Sequence, residues 1–322
     1  MANLQFTLDS GRKLGLTAFG VPTARRVVIF CHGAPGSSDF DPNPTASVDA
    51  DVHILAFDRP GYGSSEPLPP GRWPSVSGAA DDIAEYLHSA ERAARTLGQH
   101  ELDSVGVVGW SAGGRVALAL AARHPDLVDR VAVVATPAPN DEVRWIDPEL
   151  SRISERMAMQ PPDDAVADLT NLLAAEVPGA AGPSDFEAQA SLSSLGATDA
   201  DAGALEYPGA IQRLEGMLRD AFRHGAIGLA CDILAYTARP WGFDLSDVEA
   251  KTLLLYGEAD AVAGRAHAQW YRKQLADARV EMVPGVGHLL IIPTWERVLA
   301  FVHRRDRPPA GTTQPKSASS TR

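Results

Sequence analysis

Val105-Gly106-Val107-Val108-Gly109-Trp110-Ser111-Ala112-Gly113-Gly114-Arg115-Val116 is the stretch from which the fold can be read. An apolar, β-branched run, Val105 to Val108, gives way to Gly-x-Ser-x-Gly at 109–113, and Ala112 to Arg123 continues with helical composition. A strand that turns sharply into a helix lifts the side chain at the turn above the end of a sheet. Glycines flank such a serine because the turn is strained and the backbone around it too crowded for side chains. Gly114 adds a further small residue where helix meets strand.

Runs of the same kind recur on both sides. Val27 to Cys31, Ile54 to Phe57 and Val131 to Ala135 are apolar without alternation, the habit of strands buried on both faces of a parallel sheet. Leu4 to Leu8 and Leu14 to Phe19 flank the Asp9-Ser10-Gly11 turn and predict a hairpin. With the helical stretches Ala79 to Leu97 and Ala112 to Arg123 between them, the strands predict an α/β fold. After Ala135 the rhythm stops. From about Pro137 to Asp244 there are amphipathic patches, such as Ala165 to Ala175 and Ile211 to Arg223, broken by Pro161-Pro162, Gly179 to Pro183 and Pro208-Gly209. Alternation resumes with a strand Thr252 to Tyr256, a helix Arg265 to Leu275, a strand Val280 to Val283 and a helix Trp295 to His303. We therefore read 1–136 and 246–306 as one α/β core, interrupted by a helical insertion at 137–245. Trp145, Met157, Met159, Leu214, Met217, Leu218, Phe222 and Trp241 are expected mostly in the interior of that insertion. The Pro-, Ser- and Thr-rich tail, 307–322, is expected to be disordered.

Composition narrows the function classes. The 322 residues carry 29 Lys and Arg against 41 Asp and Glu, a formal charge of −12. That balance opposes nucleic-acid binding, which needs a basic face. No apolar run approaches the ~18 residues of a membrane span, and Met1 to Gly20 lacks the pattern of a secretory signal. Cys31 and Cys231 are too few for a disulfide framework and fit a reducing, cytoplasmic setting. No His and Cys cluster has metal-ligand spacing and no glycine-rich phosphate loop follows the first strand, so neither metal nor nucleotide is expected. A small-molecule substrate, with no membrane or nucleic-acid partner, is the expectation. The acid surplus leans against anionic substrates unless Arg144, Arg152 or Arg156 line the entrance.

A serine hydroxyl becomes a useful nucleophile only with a base in hydrogen-bond reach and a third group to orient that base. Asp260, in Gly257-Glu258-Ala259-Asp260, follows the strand ending at Tyr256. His288, in Gly285-Val286-Gly287-His288, follows the strand ending at Val283. Loops after parallel strands leave one edge of the sheet, so these positions converge on Ser111. Glu258, two residues from Asp260, and Asp141, after the strand ending at Ala135, stay open as alternative acids. His32-Gly33-Ala34-Pro35-Gly36 leaves the same edge, where the N–H groups of Ala34 and Ala112 would form an oxyanion hole; one such donor is worth about 2.7–4 kcal/mol of barrier. His32 is read as a hydrogen-bonding residue of that loop. Asp58-Arg59-Pro60-Gly61-Tyr62-Gly63-Ser64-Ser65 is read as a tight structural turn beside the site.

The ordered set His32-Gly33, Asp58-Arg59-x-Gly61-x-Gly63, Gly109-x-Ser111-x-Gly113, Asp260 and His288 resembles the α/β-hydrolase superfamily, in particular its members with a helical cap, over about residues 4–304. The resemblance implies a mostly parallel eight-stranded sheet with helices on both faces and an inserted all-helical cap. It also implies Ser111 as nucleophile, His288 as base and Asp260 as its orienter. Serine at 111 speaks against the dehalogenase and epoxide-hydrolase branches, whose nucleophile is aspartate. The 32–36 loop looks like that of proline iminopeptidases, but Ala34 stands where they usually carry glycine, and Ala112 rather than Trp follows the serine. The expected activity is cofactor-free hydrolysis of a small or medium carboxylic ester or lactone through an acyl-enzyme. The alternatives are an iminopeptidase or amidase reading an amine through Glu176, Glu206 or Glu215, a carbon–carbon bond hydrolase, and a non-enzymatic receptor on the same fold.

Overall fold

The computed structural model describes residues 2–97, 104–182 and 192–304; the tail expected to be disordered, 307–322, lies outside them. The described residues form eight strands: β1 (Ala2–Thr7), β2 (Lys13–Gly20), β3 (Arg26–Cys31), β4 (Val52–Phe57), β5 (Val105–Trp110), β6 (Val128–Val134), β7 (Lys251–Gly257) and β8 (Ala278–Val283). They form one sheet in the order β1-β2-β4-β3-β5-β6-β7-β8. The hairpin partner β2 runs antiparallel to β1 and β4, and every later pairing is parallel. All residues of β5 and β6 are buried, which is why Val105–Trp110 and Val131–Val134 are apolar without alternation; Asp129 and Arg130, near the start of β6, are buried charges.

The described helices are α1 (Pro44–Asp49), α2 (Val76–Thr96), α3 (Gly113–Arg123), α4 (Pro148–Met157), α5 (Pro162–Glu176), α6 (Ala202–Leu205), α7 (Ala210–Ala221), α8 (Ile227–Thr237), α9 (Arg265–Gln274) and α10 (Trp295–His303). The sheet separates two apolar cores. On one face Ile29, Val107 and Leu254 pack with Ile83 and Leu87 of α2, Leu118 of α3 and Tyr271 of α9. On the other, Phe30, Val108 and Leu253 pack with Trp295 and Leu299 of α10. That second core runs on without a break into Leu169 of α5, Leu214 and Met217 of α7 and Leu234 of α8. Between β6 and β7 the described residues contain helices and no strand.

Most residues expected inside this helical segment are there, including Met157, Leu214, Met217, Leu218 and Phe222. Trp145 and Trp241 are half-buried, and Met159 is 87% exposed, because the chain has left α4 and turns before Pro161. A buried ion pair locks the opposite edge of the sheet: Arg26 on β3 donates to both carboxylate oxygens of Asp129 on β6 and to the carbonyl of Val302 on α10. Cys31 and Cys231 are free and buried, with no bridge between them.

Candidate active site

Ser111 sits between β5 and α3 with φ +52°, a left-handed conformation that costs a side-chain-bearing residue roughly 1–3 kcal/mol. The surroundings over-determine it. Its N–H donates to Val134 O at 2.8 Å and its carbonyl accepts from Gly114 N–H at 3.1 Å. A Cβ on Gly109 would run into the backbone of Gly113 and Gly114, and one on Gly113 into the carbonyls of Cys31 and His32. The two flanking glycines therefore let α3 start directly against β5 and β3.

Loops from β7 and β8 bring two further side chains to this point. His288 Nε2 lies 2.9 Å from Ser111 Oγ, and His288 Nδ1 lies 2.9 Å from Asp260 Oδ2. Asp260 Oδ1 accepts the N–H groups of Val262 and Ala263 at 2.8 and 2.9 Å. With the carboxylate saturated in this way, the tautomer that uses every partner has Nδ1–H donating to Asp260 and Nε2 accepting from the serine. Both side chains are at most 3% exposed. Of the alternative acids, Glu258 is exposed and pairs with Arg265, while Asp141 is exposed on the wall of a separate cleft. The structure thus puts Asp260, and neither of the other two, on His288.

The His288 loop is held from two sides. Trp110 Nε1–H donates to His288 O at 3.1 Å. Asp201, buried just before α6, accepts Leu289 N–H at 2.7 Å through Oδ1 and Thr198 N–H at 2.9 Å through Oδ2. Nothing in the sequence around Asp201 signals this role, since a carboxylate in a polar stretch reads as exposed.

The loop after β3 passes beside the serine. A Cβ on Gly33 would come 3.5 Å from Ser111 Cβ and 3.2 Å from the Trp110 ring. The N–H groups of Ala34 and Ala112 have no acceptor among the described residues. His32 is buried, and its Nδ1 lies 2.7 Å from Gly33 O. Burial, reinforced by the Arg59 charge, holds its pKa well below the usual imidazole range, so it is neutral. The 58–65 turn carries more than its sequence suggests. Asp58 caps it by accepting Ser38 and Ser64 N–H, with burial pushing its pKa up to about 6. Arg59 forms a buried, two-pronged ion pair with Asp232 of α8. The missed signal is Asp232 itself, a charge inside the apolar run Leu229 to Leu234.

The other candidates lie apart. Glu176 and Glu206 are exposed and Glu215 is half-buried, and no described contact ties any of them to Ser111 or His288. Arg144 and Arg152 border a cleft of about 1040 Å³ between the 138–146 loop, α4, the end of α8 and α9. At its floor Arg115 is enclosed by Tyr236, Trp241 and Trp145, with its carbon Cζ 4.4–5.6 Å from their ring centres. Ser111 and His288 do not border this cleft.

A family model described as alpha/beta hydrolase fold matches residues 26–293. A pimeloyl-[acyl-carrier protein] methyl ester esterase of Aromatoleum aromaticum is 28% identical over 246 residues, 76% of this chain and 83% of the relative. Among solved structures, a thermophilic esterase from Thermogutta terrifontis superposes with a TM-score of 0.64 at 21% identity, covering 93% of this chain and 96% of that one. The enol-lactonase from Burkholderia xenovorans LB400 gives 0.61 at 18% identity, covering 92% and 97%. At such identities the two superpositions speak for the fold alone.

Proposed function

The chain belongs to the alpha/beta hydrolase fold family, and we propose that it is a serine hydrolase that cleaves a small or medium carboxylic ester or lactone through an acyl-enzyme. The observation that carries this reading is the unbroken relay from Ser111 Oγ to His288 to Asp260, both links 2.9 Å, beside two N–H groups that have no acceptor among the described residues. In the first half-reaction Ser111 Oγ attacks the acyl carbon while its proton passes to His288 Nε2. The carbonyl electrons move onto oxygen, where the N–H groups of Ala34 and Ala112 stabilise them. Collapse of the tetrahedral species expels the alcohol oxygen, which takes the proton back from His288. Water, deprotonated by His288, then releases the acid by the same path. These steps use no cofactor or metal.

The helical segment at 137–245 is assigned as a cap over this site, with 1–136 and 246–306 as the catalytic core. Its packing as a continuation of one apolar core supports that assignment. No described helix is long and apolar enough to cross a membrane; we assign the chain to the cytoplasm, with which its two free, buried thiols agree. The methyl-ester relative supports an ester over an amide. The test is a panel of p-nitrophenyl and methyl esters, a lactone and Pro-β-naphthylamide. Turnover of esters with negligible amide cleavage is expected; efficient amide cleavage with no ester turnover would replace this assignment by an aminopeptidase.

A further inference from the structure

We infer that the Arg59–Asp232 ion pair is a positioning device for the Gly33–Ala34 peptide, through which the helical segment sets the oxyanion-binding N–H; this rests on the reading of Ser111 as acyl-forming nucleophile. The guanidinium is almost wholly committed. Nε and Nη2 donate to the two carboxylate oxygens of Asp232 at 2.8 and 2.6 Å, Nη1 donates to His32 O at 2.7 Å, and Nη2 also donates to Gly33 O at 2.7 Å. Burial alone would lower the pKa of Arg59, but Asp232 outweighs it and the pKa ends above its ordinary value, so the cation is permanent.

Gly33 O accepts a second hydrogen bond, from His32 Nδ1–H, so both of its lone pairs are used. Gly36 has to be glycine for this arrangement, since a Cβ there would come 2.7 Å from Gly33 O and 2.8 Å from His32 Nδ1. In a planar trans peptide the C=O and the following N–H point in opposite directions. Two donors that hold the Gly33 carbonyl toward Arg59 therefore turn the Ala34 N–H away from it, on the loop that borders Ser111. A permanent cation on the carbonyl also polarises the peptide and strengthens its N–H as a donor.

A purely structural clamp accounts for less. Burying an Arg–Asp pair is often no better than neutral for stability relative to apolar side chains, and here the donors left over from Asp232 go to the two carbonyls of the oxyanion loop. The counter-charge comes from α8, 173 residues along the chain from Arg59. Ser37 Oγ–H, which donates to Met217 O of α7 at 3.0 Å, is a second tie between the same loop and the helical segment.

The test compares wild type, Asp232→Asn and the charge-free double variant Arg59→Met/Asp232→Leu, which leaves no buried charge unpaired. Each is assayed on p-nitrophenyl butyrate and titrated with butylboronic acid, whose boron accepts a lone pair from Ser111 Oγ as the serine proton moves to His288. For the double variant kcat should fall roughly 10- to 100-fold, less than the about 10²–10³-fold of deleting an oxyanion donor, because His32 still holds the carbonyl. KM should stay within about 3-fold, the boronate Ki should rise by the same factor as kcat falls, and Asp232→Asn should lie between. The ¹H–¹⁵N signal of Ala34 in the boronate complex should move upfield in the double variant, which a folding defect elsewhere would not cause. An active wild type together with a double variant whose kcat or boronate Ki is unchanged overturns this inference alone. A wild type inert to both ester and boronate overturns the hydrolase reading itself.

Discussion

Replacing Asp260 by Asn tests which acid orients His288, and the structure sets the outcome. Oδ1 of Asp260 accepts two backbone N–H groups, from Val262 and Ala263, while Oδ2 faces His288 Nδ1. An asparagine will keep its carbonyl oxygen on the two N–H donors. Flipping it would set an NH₂ group against both and leave them unsatisfied, at about 1–3 kcal/mol each. The side-chain NH₂ is thereby directed at Nδ1, which must become an acceptor, and the imidazole proton moves to Nε2. In that tautomer Nε2 has no lone pair for the Ser111 proton. The expected loss is about 10⁴ in kcat, the scale of a wrong-tautomer defect, or ~5.5 kcal/mol of barrier. Steady-state turnover of p-nitrophenyl butyrate measures it, with Glu258→Gln and Asp141→Asn in parallel and expected within about 2-fold of wild type. A loss below about 10-fold for Asp260→Asn, or a larger one for Asp141→Asn, would refute the assignment of the acid.

Three further outcomes are expected. Arg26→Met leaves Asp129 buried without its partner and should cost about 3–5 kcal/mol in urea unfolding, whereas Arg26→Met/Asp129→Leu should recover most of it; equal losses in both would mean the pair itself is not what is being measured. Burial pushes the Asp41 carboxyl up to about 6, above its unfolded value, so between about pH 4 and pH 6 the unfolded chain has lost a proton that the folded chain keeps. Stability from this group should fall as pH rises through that window, on the order of 3 kcal/mol, and the difference in unfolding free energy between wild type and Asp41→Asn should show that slope; a pH-independent difference contradicts it. Burial raises the pKa of both thiols to about 12, so Ellman's reagent should find no reactive thiol in the native protein at neutral pH and both after denaturation.

The central strands were legible because they are buried on both faces, and only uninterrupted apolar runs such as Val105 to Val108 and Leu253 to Tyr256 survive that environment. The meeting of Ser111, Asp260 and His288 could be expected for a related reason. Each lies in a loop that follows a strand, β5 for Ser111, β7 for Asp260 and β8 for His288, and parallel topology sends those loops to one edge. Contacts from the helical segment were not legible. Asp201 reaches Leu289 N–H, and Asp232 reaches Arg59, only because the chain between β6 and β7 folds back over the sheet. Amphipathic periodicity fixes which side of a helix is apolar, not which loop its one buried carboxylate will meet. For Asp232 a signal existed and was missed, a charge inside the apolar run Leu229 to Leu234. Met159 shows the same limit from the other side, since a methionine two residues past the end of α4 has no periodic neighbour to say it faces solvent.

The central claim is that Ser111 carries the acyl group. Rapid-quench mass spectrometry of the enzyme mixed with p-nitrophenyl butyrate tests it directly. An acyl-enzyme at Ser111 requires a transient mass increase of one butyryl group on the peptide containing Ser111, formed with the burst of p-nitrophenol and absent in Ser111→Ala. Turnover without such an adduct, or an adduct that persists in Ser111→Ala, would contradict it.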